Sequence, residues 1–182
     1  MIMDITPVAS PGPATKQRTR RSWAATSTLL VGILLVGAPS WYFLKTPPSP
    51  VPSDIRRNAG FRVYYPEQGR LPSGYSLDMA SFRLAQPGVV IFSLQVGTQR
   101  LIFSEEQTPD TSVMDKFTSS YIPLHTEIAT ALGKAEMGAA GQGAQLQTVV
   151  SLPISKGPWL IMTAPANTKQ SDVQRILQSL VK

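Results

Sequence analysis

Cysteine is absent from the 182 residues of this chain. Its absence excludes disulfide bonds, thiolate zinc sites, iron–sulfur clusters and cysteine nucleophiles. Histidine is scarce as well, because His125 is the single one. A Ser-His-Asp triad or a histidine metal site would have to be built around that residue.

Charged residues are also few, at 15% against roughly 25% in an average soluble protein, while hydrophobic residues reach 42%. The net charge of +6 is unevenly distributed. Residues 1–22 carry Lys16, Arg18, Arg20 and Arg21 against one acid. A basic tail before an apolar segment indicates membrane topology. Since no aromatic residue interrupts the bases, the pattern argues against a nucleic-acid partner.

An uncharged segment, 23–44, predicts a transmembrane helix. A helix of that length rises about 33 Å, close to the roughly 30 Å hydrocarbon core of a bilayer. Trp23 and Trp41 lie near its two edges, where indole rings prefer the headgroup zone. By the positive-inside rule, residues 1–22 form a basic cytoplasmic tail and the C-terminal part is extracytoplasmic. The sequence therefore predicts a single-pass membrane protein that contacts the lipid bilayer.

Two alternatives would also export the C-terminal part. A cleaved signal peptide shares the basic start, and Ala38-Pro39-Ser40 has small residues at the critical spacings. Pro39 and the length of the apolar stretch argue against cleavage. Arg20-Arg21 before Trp23 resembles a twin-arginine signal, but nothing downstream looks like a cofactor site that requires folded export. Whether the apolar segment is retained or cleaved stays open.

Small residues form a stripe along the predicted span. Ala24, Thr28 and Gly32 lie at i, i+4 and i+8, which permits close approach of two helices. A helix-mediated homodimer is one hypothesis. Small residues are also common in such helices without any partner.

Residues 45–59 are predicted to form a Pro-rich linker. The sequence TPPSPVPS at 46–53 contains four prolines and favours an extended, semi-rigid spacer. Residues 54–57 that follow are interpreted as solvated linker, with a juxtamembrane contact as the alternative. We expect the extracytoplasmic domain to occupy 60–182.

The pattern of 60–182 predicts an α+β fold, an antiparallel sheet with a C-terminal packing helix. Residues 89–96 and 100–105 read as a β-hairpin around Gly97. A helix is expected at 112–121, and a second begins at a Ser171 cap with Val173, Ile176, Leu177 and Leu180 on one apolar face. Further strands are expected at 61–65, 81–84, 126–130, 133–138, 146–152 and 159–163.

Three stretches carry a resemblance: Val63-Tyr64-Tyr65-Pro66, Leu71-Pro72-Ser73-Gly74-Tyr75, and LIFSEE at 101–106. They resemble uncharacterised bacterial single-pass membrane proteins with a β-rich outer domain, over most of residues 61–181. The chain is also distantly similar to the outer domains of anti-sigma-factor-like proteins. A tail of 22 residues is too short to hold a sigma-binding helical domain. The resemblance speaks to fold and implies no catalytic residues.

A search for catalytic groups yields weak candidates. His125 is interpreted as structural or exposed. Ser155 and Lys156 are adjacent, and neighbours on a strand point to opposite faces, so they are a poor catalytic dyad. No Gly-x-Ser-x-Gly elbow is present to supply a nucleophile.

Acidic and glycine-rich stretches give no stronger signal. The acidic group comprises Glu105, Glu106, Asp110 and Asp115; it matches no EF-hand loop and is interpreted as a solvated edge. Residues 138–143 read GAAGQG without a following Lys-Ser/Thr, so a turn is expected and a phosphate-binding loop is not. We therefore assign no catalytic, cofactor-binding or metal-binding residue, and no cofactor; ligand-binding residues are unknown.

The leading hypothesis is a membrane-anchored extracytoplasmic binding or interaction module without catalytic activity, whose partner is another protein or component of a bacterial cell envelope. An envelope enzyme of the hydrolase type and a membrane signal-relay subunit are the alternatives.

Overall fold

A computed structural model describes residues 49–182 of the chain. The predicted basic tail, the predicted span 23–44 and its small-residue stripe lie outside the described residues. In the part that is described, no helix has the length and apolar character needed to cross a membrane.

Most of the described chain forms one seven-stranded antiparallel sheet, which confirms the predicted sheet architecture. The seven strands are β2 Tyr75–Gln86, β3 Val89–Val96, β4 Gln99–Gln107, β5 His125–Thr130, β6 Gly133–Ala140, β7 Gln147–Pro153 and β8 Pro158–Pro165. Across the sheet they follow the order β2-β3-β4-β8-β7-β6-β5. The first three strands are consecutive hairpins, the last four are also consecutive hairpins, and β4 joins β8 where the two series meet.

The predicted hairpin at 89–105 is confirmed as β3 and β4. Gly97 has a φ of 57°, a left-handed conformation that glycine adopts without steric cost. Beyond the turn, Phe92 faces Phe103 and Leu94 faces Leu101. These side chains are fully buried, because alternate residues of each strand point to the same face.

Two helices contribute to the core on that face of the sheet. Helix α1, Ser53–Asn58, supplies Ile55, and helix α3, Gln170–Gln178, supplies Val173, Ile176 and Leu177. The predicted C-terminal packing helix is thereby confirmed. Its predicted cap is wrong: the helix begins at Gln170, and no side chain hydrogen-bonds to its N-terminal turn. The helix therefore depends on the burial of its apolar face.

The folded unit begins earlier than residue 60. It includes everything from Ser49, because Val51, Ile55 and Ala59 all lie in the core. Ile55 is only 3% exposed. The interpretation of 54–57 as solvated linker is therefore wrong. These residues belong to a short amphipathic helix, in which Ile55 points into the core and its charged neighbours are exposed.

The segment after α1 is held by a two-residue ladder. Strand β1, Tyr65–Pro66, pairs antiparallel with β9, Leu180–Val181. The predicted alternation over 61–65 is wrong, since Val63 and Tyr64 are both buried and only Tyr65 belongs to a strand. Leu180, predicted to continue the helix face, instead belongs to β9.

Helix α2, Thr111–Tyr121, confirms the predicted helix and lies on the other face of the sheet. Its Phe117 ring meets Trp159 of β8 edge-on, with ring centroids 5.0 Å apart. The Trp159 indole N–H donates to the Ser151 hydroxyl at 3.0 Å. Trp159 lies next to the chain entering α2, because it is paired with Glu106 near the end of β4. The helix thus covers one end of this face.

Candidate functional site

Strand β2 contains a large bulge opposite β3. Asp78 pairs with Ser93 and Arg83 pairs with Ile91, so residues 79–82 stand opposite Phe92 alone. An insertion of this kind bends a strand and redirects its side chains, and bulges recur next to functional sites.

Several contacts hold the bulge in place. The Ser93 backbone N–H donates to Ser81 Oγ at 2.8 Å, and Ser81 Oγ donates to the Asp78 carbonyl at 2.6 Å. The Ala80 N–H donates to Asp78 Oδ1 at 3.2 Å. Beneath them, Phe82 stacks on Phe92 with centroids 4.9 Å apart. The bulge is therefore anchored on the core side and presents polar groups on the other.

A groove of about 390 Å³ lies on the exposed side of the bulge. We call it the bulge groove; the side chains that open onto it are Asp78, Ser81, Arg83, Ile91, Ser93, Arg100 and Ile102. Arg100 Nη2 lies 3.9 Å from Asp78 Oδ2. The contact is loose and exposed, so it contributes at most about 1 kcal/mol.

A second groove of about 520 Å³ adjoins the first and shares Arg100 and Ile102 with it. Its other wall is the segment before β7, including Leu146, and Thr163 of β8 also lines it. The two grooves meet at Arg100 and Ile102, and we call them together the sheet trough.

Strand register explains the floor of the trough. Ser93 of β3, Ile102 of β4 and Thr163 of β8 are partners across adjacent strands, so their side chains share one face. Helix α2 covers the opposite end of this face near Trp159. As a result Ile102 remains 48% exposed in the middle of the sheet.

The trough carries an excess of positive charge. Arg83 and Arg100 are both exposed, whereas Asp78 is the one acidic side chain that lines it among the described residues. Asp78 is placed beside Arg100. Arg83 makes no ion pair within residues 49–182. A guanidinium is suited to bidentate contact with a carboxylate, so the trough fits an anionic group next to apolar surface.

His125 lies on β5, away from the trough. Its Nδ1 is 3.1 Å from the Ile122 carbonyl, and its Nε2 is 3.9 Å from Glu136 Oε1. The Thr118 hydroxyl donates to Glu136 Oε2 at 2.6 Å. A triad needs the hydroxyl on the imidazole, but here the hydroxyl is bonded to the carboxylate. The group links α2 to the sheet, which agrees with the structural interpretation of His125.

The predicted acidic edge is not one surface. Glu105 is fully buried on the core face of β4, whereas Glu106 is half-buried on the other face, and Asp110 before α2 and Asp115 on α2 are exposed. The interpretation of Glu105 as solvated is therefore wrong. Burial raises the pKa of Glu105 well above the ordinary value of 4.5, and the hydrogen bond from the Tyr64 N–H opposes this to a smaller extent.

Ser155 and Lys156 lie in the turn between β7 and β8, with Lys156 at a φ of 55°. The expectation of opposite strand faces is wrong, because neither residue is in a strand. The predicted loose turn at 138–143 is also partly wrong, since Gly138 belongs to β6 and the turn starts at Gly141, whose φ is 89°. Among residues 49–182, no cluster of three or more His, Asp or Glu side chains is placed to hold a metal ion.

Sequence reasoning missed Arg83, Arg100 and Ile102 as candidate binding residues. The alternation of apolar and polar residues along 100–105 predicts that Leu101 and Phe103 point into the core. Arg100 and Ile102 must then point to the opposite face of the sheet. An isoleucine on the polar face of a strand was the available signal. The bulge that sets Arg83 opposite Ile91, in the lining of the same groove, has no comparable sequence signature.

In comparisons with known proteins, no protein-family model, no curated protein and no solved structure matches the chain.

Proposed function

We propose that this chain is a membrane-anchored extracytoplasmic binding module whose sheet trough holds an acidic, partly apolar segment of another envelope protein. Residues 1–22 remain in the cytoplasm and 23–44 cross the bilayer. The apolar character and charge distribution of these segments support this topology. The observation that carries the binding role is Ile102, which is 48% exposed on the sheet in a groove that Arg83 and Arg100 also line.

The chemistry of the trough supports an acidic partner. Two exposed guanidinium groups and one carboxylate line the trough, so an incoming carboxylate meets an excess of positive charge. Ile102 and Leu146, 48% and 43% exposed, supply apolar surface that becomes buried on binding. The combination of arginine anchors and an apolar centre is typical of protein interfaces.

A protein segment fits better than a polysaccharide. Sugar rings commonly pack on aromatic faces, but the aromatic residue beside the trough, Phe92, points to the core and is fully buried. Its ring is stacked between Phe82 and Phe103. The trough instead offers aliphatic groups, hydroxyls and guanidinium groups, which suit peptide side chains.

Crosslinking in living cells tests the proposal. A photoreactive amino acid replaces Ile102 in the full-length chain, and adducts are identified by mass spectrometry. Val113 on α2 provides a matched control position, because it is 49% exposed and does not line the trough. We expect one dominant adduct with an envelope protein when the photoreactive residue is at position 102, and no adduct with that protein when it is at position 113. Equal capture from both positions, or no protein adduct from 102, would refute the proposed site.

A further inference from the structure

A third groove, separate from the sheet trough, lies where the folded unit begins. The pairing of β1 with β9 sets Tyr65 opposite Val181, which brings Lys182 beside the segment that precedes β1. Arg62 belongs to that segment, and Arg56 reaches the same place from α1. Residues far apart in the chain thus bring three cations together.

We call this site the basic groove; it measures about 450 Å³ and is lined by Ser49, Val51, Arg56, Phe61, Arg62, Val63 and Lys182. Arg56 and Lys182 are exposed, while Phe61 is half-buried. No acidic side chain is among these lining residues, although Asp54 lies nearby on α1. The groove therefore combines concentrated positive charge with an apolar ring.

The position of the groove along the chain suggests its occupant. Ser49, in its lining, is four residues beyond Lys45, the residue that closes the predicted membrane span. Four residues extend at most about 14 Å. Under the proposed anchoring, no more than this length of chain tethers Ser49 to the bilayer. Juxtamembrane basic groups gain about 1 kcal/mol each from an anionic lipid surface.

We propose that the basic groove docks the domain onto anionic lipid headgroups of the bilayer that anchors it. This inference rests on the proposed membrane anchoring. Arg56, Arg62 and Lys182 contact the lipid phosphates, and Phe61 lies against the interfacial zone. Docking restricts the tumbling of the domain on its short tether.

The test uses the full-length chain in vesicles. Asn58 is exposed at the end of α1 and is replaced by cysteine, the single one in the chain, for a donor fluorophore. Vesicles of phosphatidylcholine, with or without phosphatidylglycerol, carry an acceptor on labelled headgroups. Energy transfer reports docking, and co-flotation reports insertion.

The test variant combines Arg56→Gln, Arg62→Gln and Lys182→Gln. The control combines Lys116→Gln, Lys156→Gln and Lys169→Gln, which removes the same charge from exposed sites outside the groove.

We expect stronger energy transfer in phosphatidylglycerol vesicles than in neutral ones. The test variant lowers the docked-to-undocked ratio by on the order of a hundredfold, and the control retains docking. Salt at about 0.5 M weakens docking of the parent chain. This inference alone is overturned if the test variant inserts into the vesicles and shows the same energy transfer as the parent chain. It is also overturned if the control variant loses as much energy transfer as the test variant. A chain that floats with neither vesicle overturns both this inference and the proposed anchoring.

Discussion

Both carboxyl oxygens of Glu105 lie 3.1 Å from the backbone nitrogen of Tyr64. The contact joins β4 to the segment that leads from α1 into β1. Glu105 is 0% exposed, with Val90 and Leu160 as its strand neighbours. A buried charge without a cationic partner is costly, so the carboxyl group is favoured in its protonated form.

Replacing Glu105 tests this consequence. Because the folded state raises the pKa of Glu105, its contribution to the free energy of unfolding is fully present at pH below the ordinary value of 4.5. The contribution is lost as pH rises through the raised folded-state pKa, at no more than about 1.4 kcal/mol per pH unit. We expect Glu105→Gln to flatten this decline, as measured by urea unfolding from about pH 4 to about pH 9. Glu106→Gln, on the other face of β4, should leave the decline in place. If the free energy of unfolding declined equally with pH in the wild type and in Glu105→Gln, the decline could not be attributed to Glu105.

Phe82 anchors the bulge to the core. We expect Phe82→Ala to lower the free energy of unfolding by about 3–5 kcal/mol, because it removes a buried ring from the stack on Phe92. Met79→Ala serves as the control in the same bulge, since Met79 is 56% exposed, and should change stability by less than about 0.5 kcal/mol. Denaturant unfolding measures both. Equal effects would show that the bulge is not anchored through Phe82.

Gly138 marks a close approach between β6 and the chain that follows α2. An added Cβ would lie 2.7 Å from the Leu124 carbonyl oxygen and 2.9 Å from Ile122 Cβ. We expect Gly138→Ala to destabilise the fold by about 1–3 kcal/mol in urea unfolding, as overpacking does. Gly69→Ala has open space around the new methyl group and should be tolerated. A tolerated Gly138→Ala would mean that the connection after α2 is free to move away.

Membrane topology can be read with single cysteines, because the chain has none of its own. Ser10→Cys reports the basic tail and Ser120→Cys reports an exposed position on α2. We expect a membrane-impermeant maleimide to label position 120 but not position 10 in spheroplasts. The mass of the protein should correspond to the uncleaved chain of 19.7 kDa. Labelling at 10 but not at 120 would reverse the topology, and a truncated product would favour the cleaved signal peptide.

Much of the sheet follows from local pattern. Leu101 and Phe103 alternate with polar neighbours, and Gly97 marks the turn, so β3 and β4 are predictable from the sequence alone. Helix α3 is equally predictable, because Val173, Ile176 and Leu177 repeat at helical spacing. Such elements bury one regular face, which is what periodicity detects.

The candidate site depends on long-range relationships that pattern does not contain. Glu105 looks like part of an acidic run, although strand alternation sets it on the buried face with Leu101 and Phe103. The backbone N–H that hydrogen-bonds to it belongs to Tyr64, 41 positions away, and the pattern does not contain that contact. Arg83 lines the same groove as Arg100 because the extra residues of the β2 bulge set it opposite Ile91. The basic groove requires Lys182 to meet Arg62 through the β1–β9 pairing. Pairing between distant segments decides these sites, and a single sequence does not specify it.

The most direct measurement is the yield of the Ile102 photo-crosslink in cells after the trough arginines are neutralised. If the trough binds an acidic partner, Arg83→Gln with Arg100→Gln should lower the yield by about tenfold or more, because each charged hydrogen bond contributes about 1.5–3 kcal/mol. Lys116→Gln with Lys156→Gln removes equal charge outside the trough and should leave the yield unchanged. An unchanged yield in the arginine variant, at equal protein level, would contradict the proposed binding function.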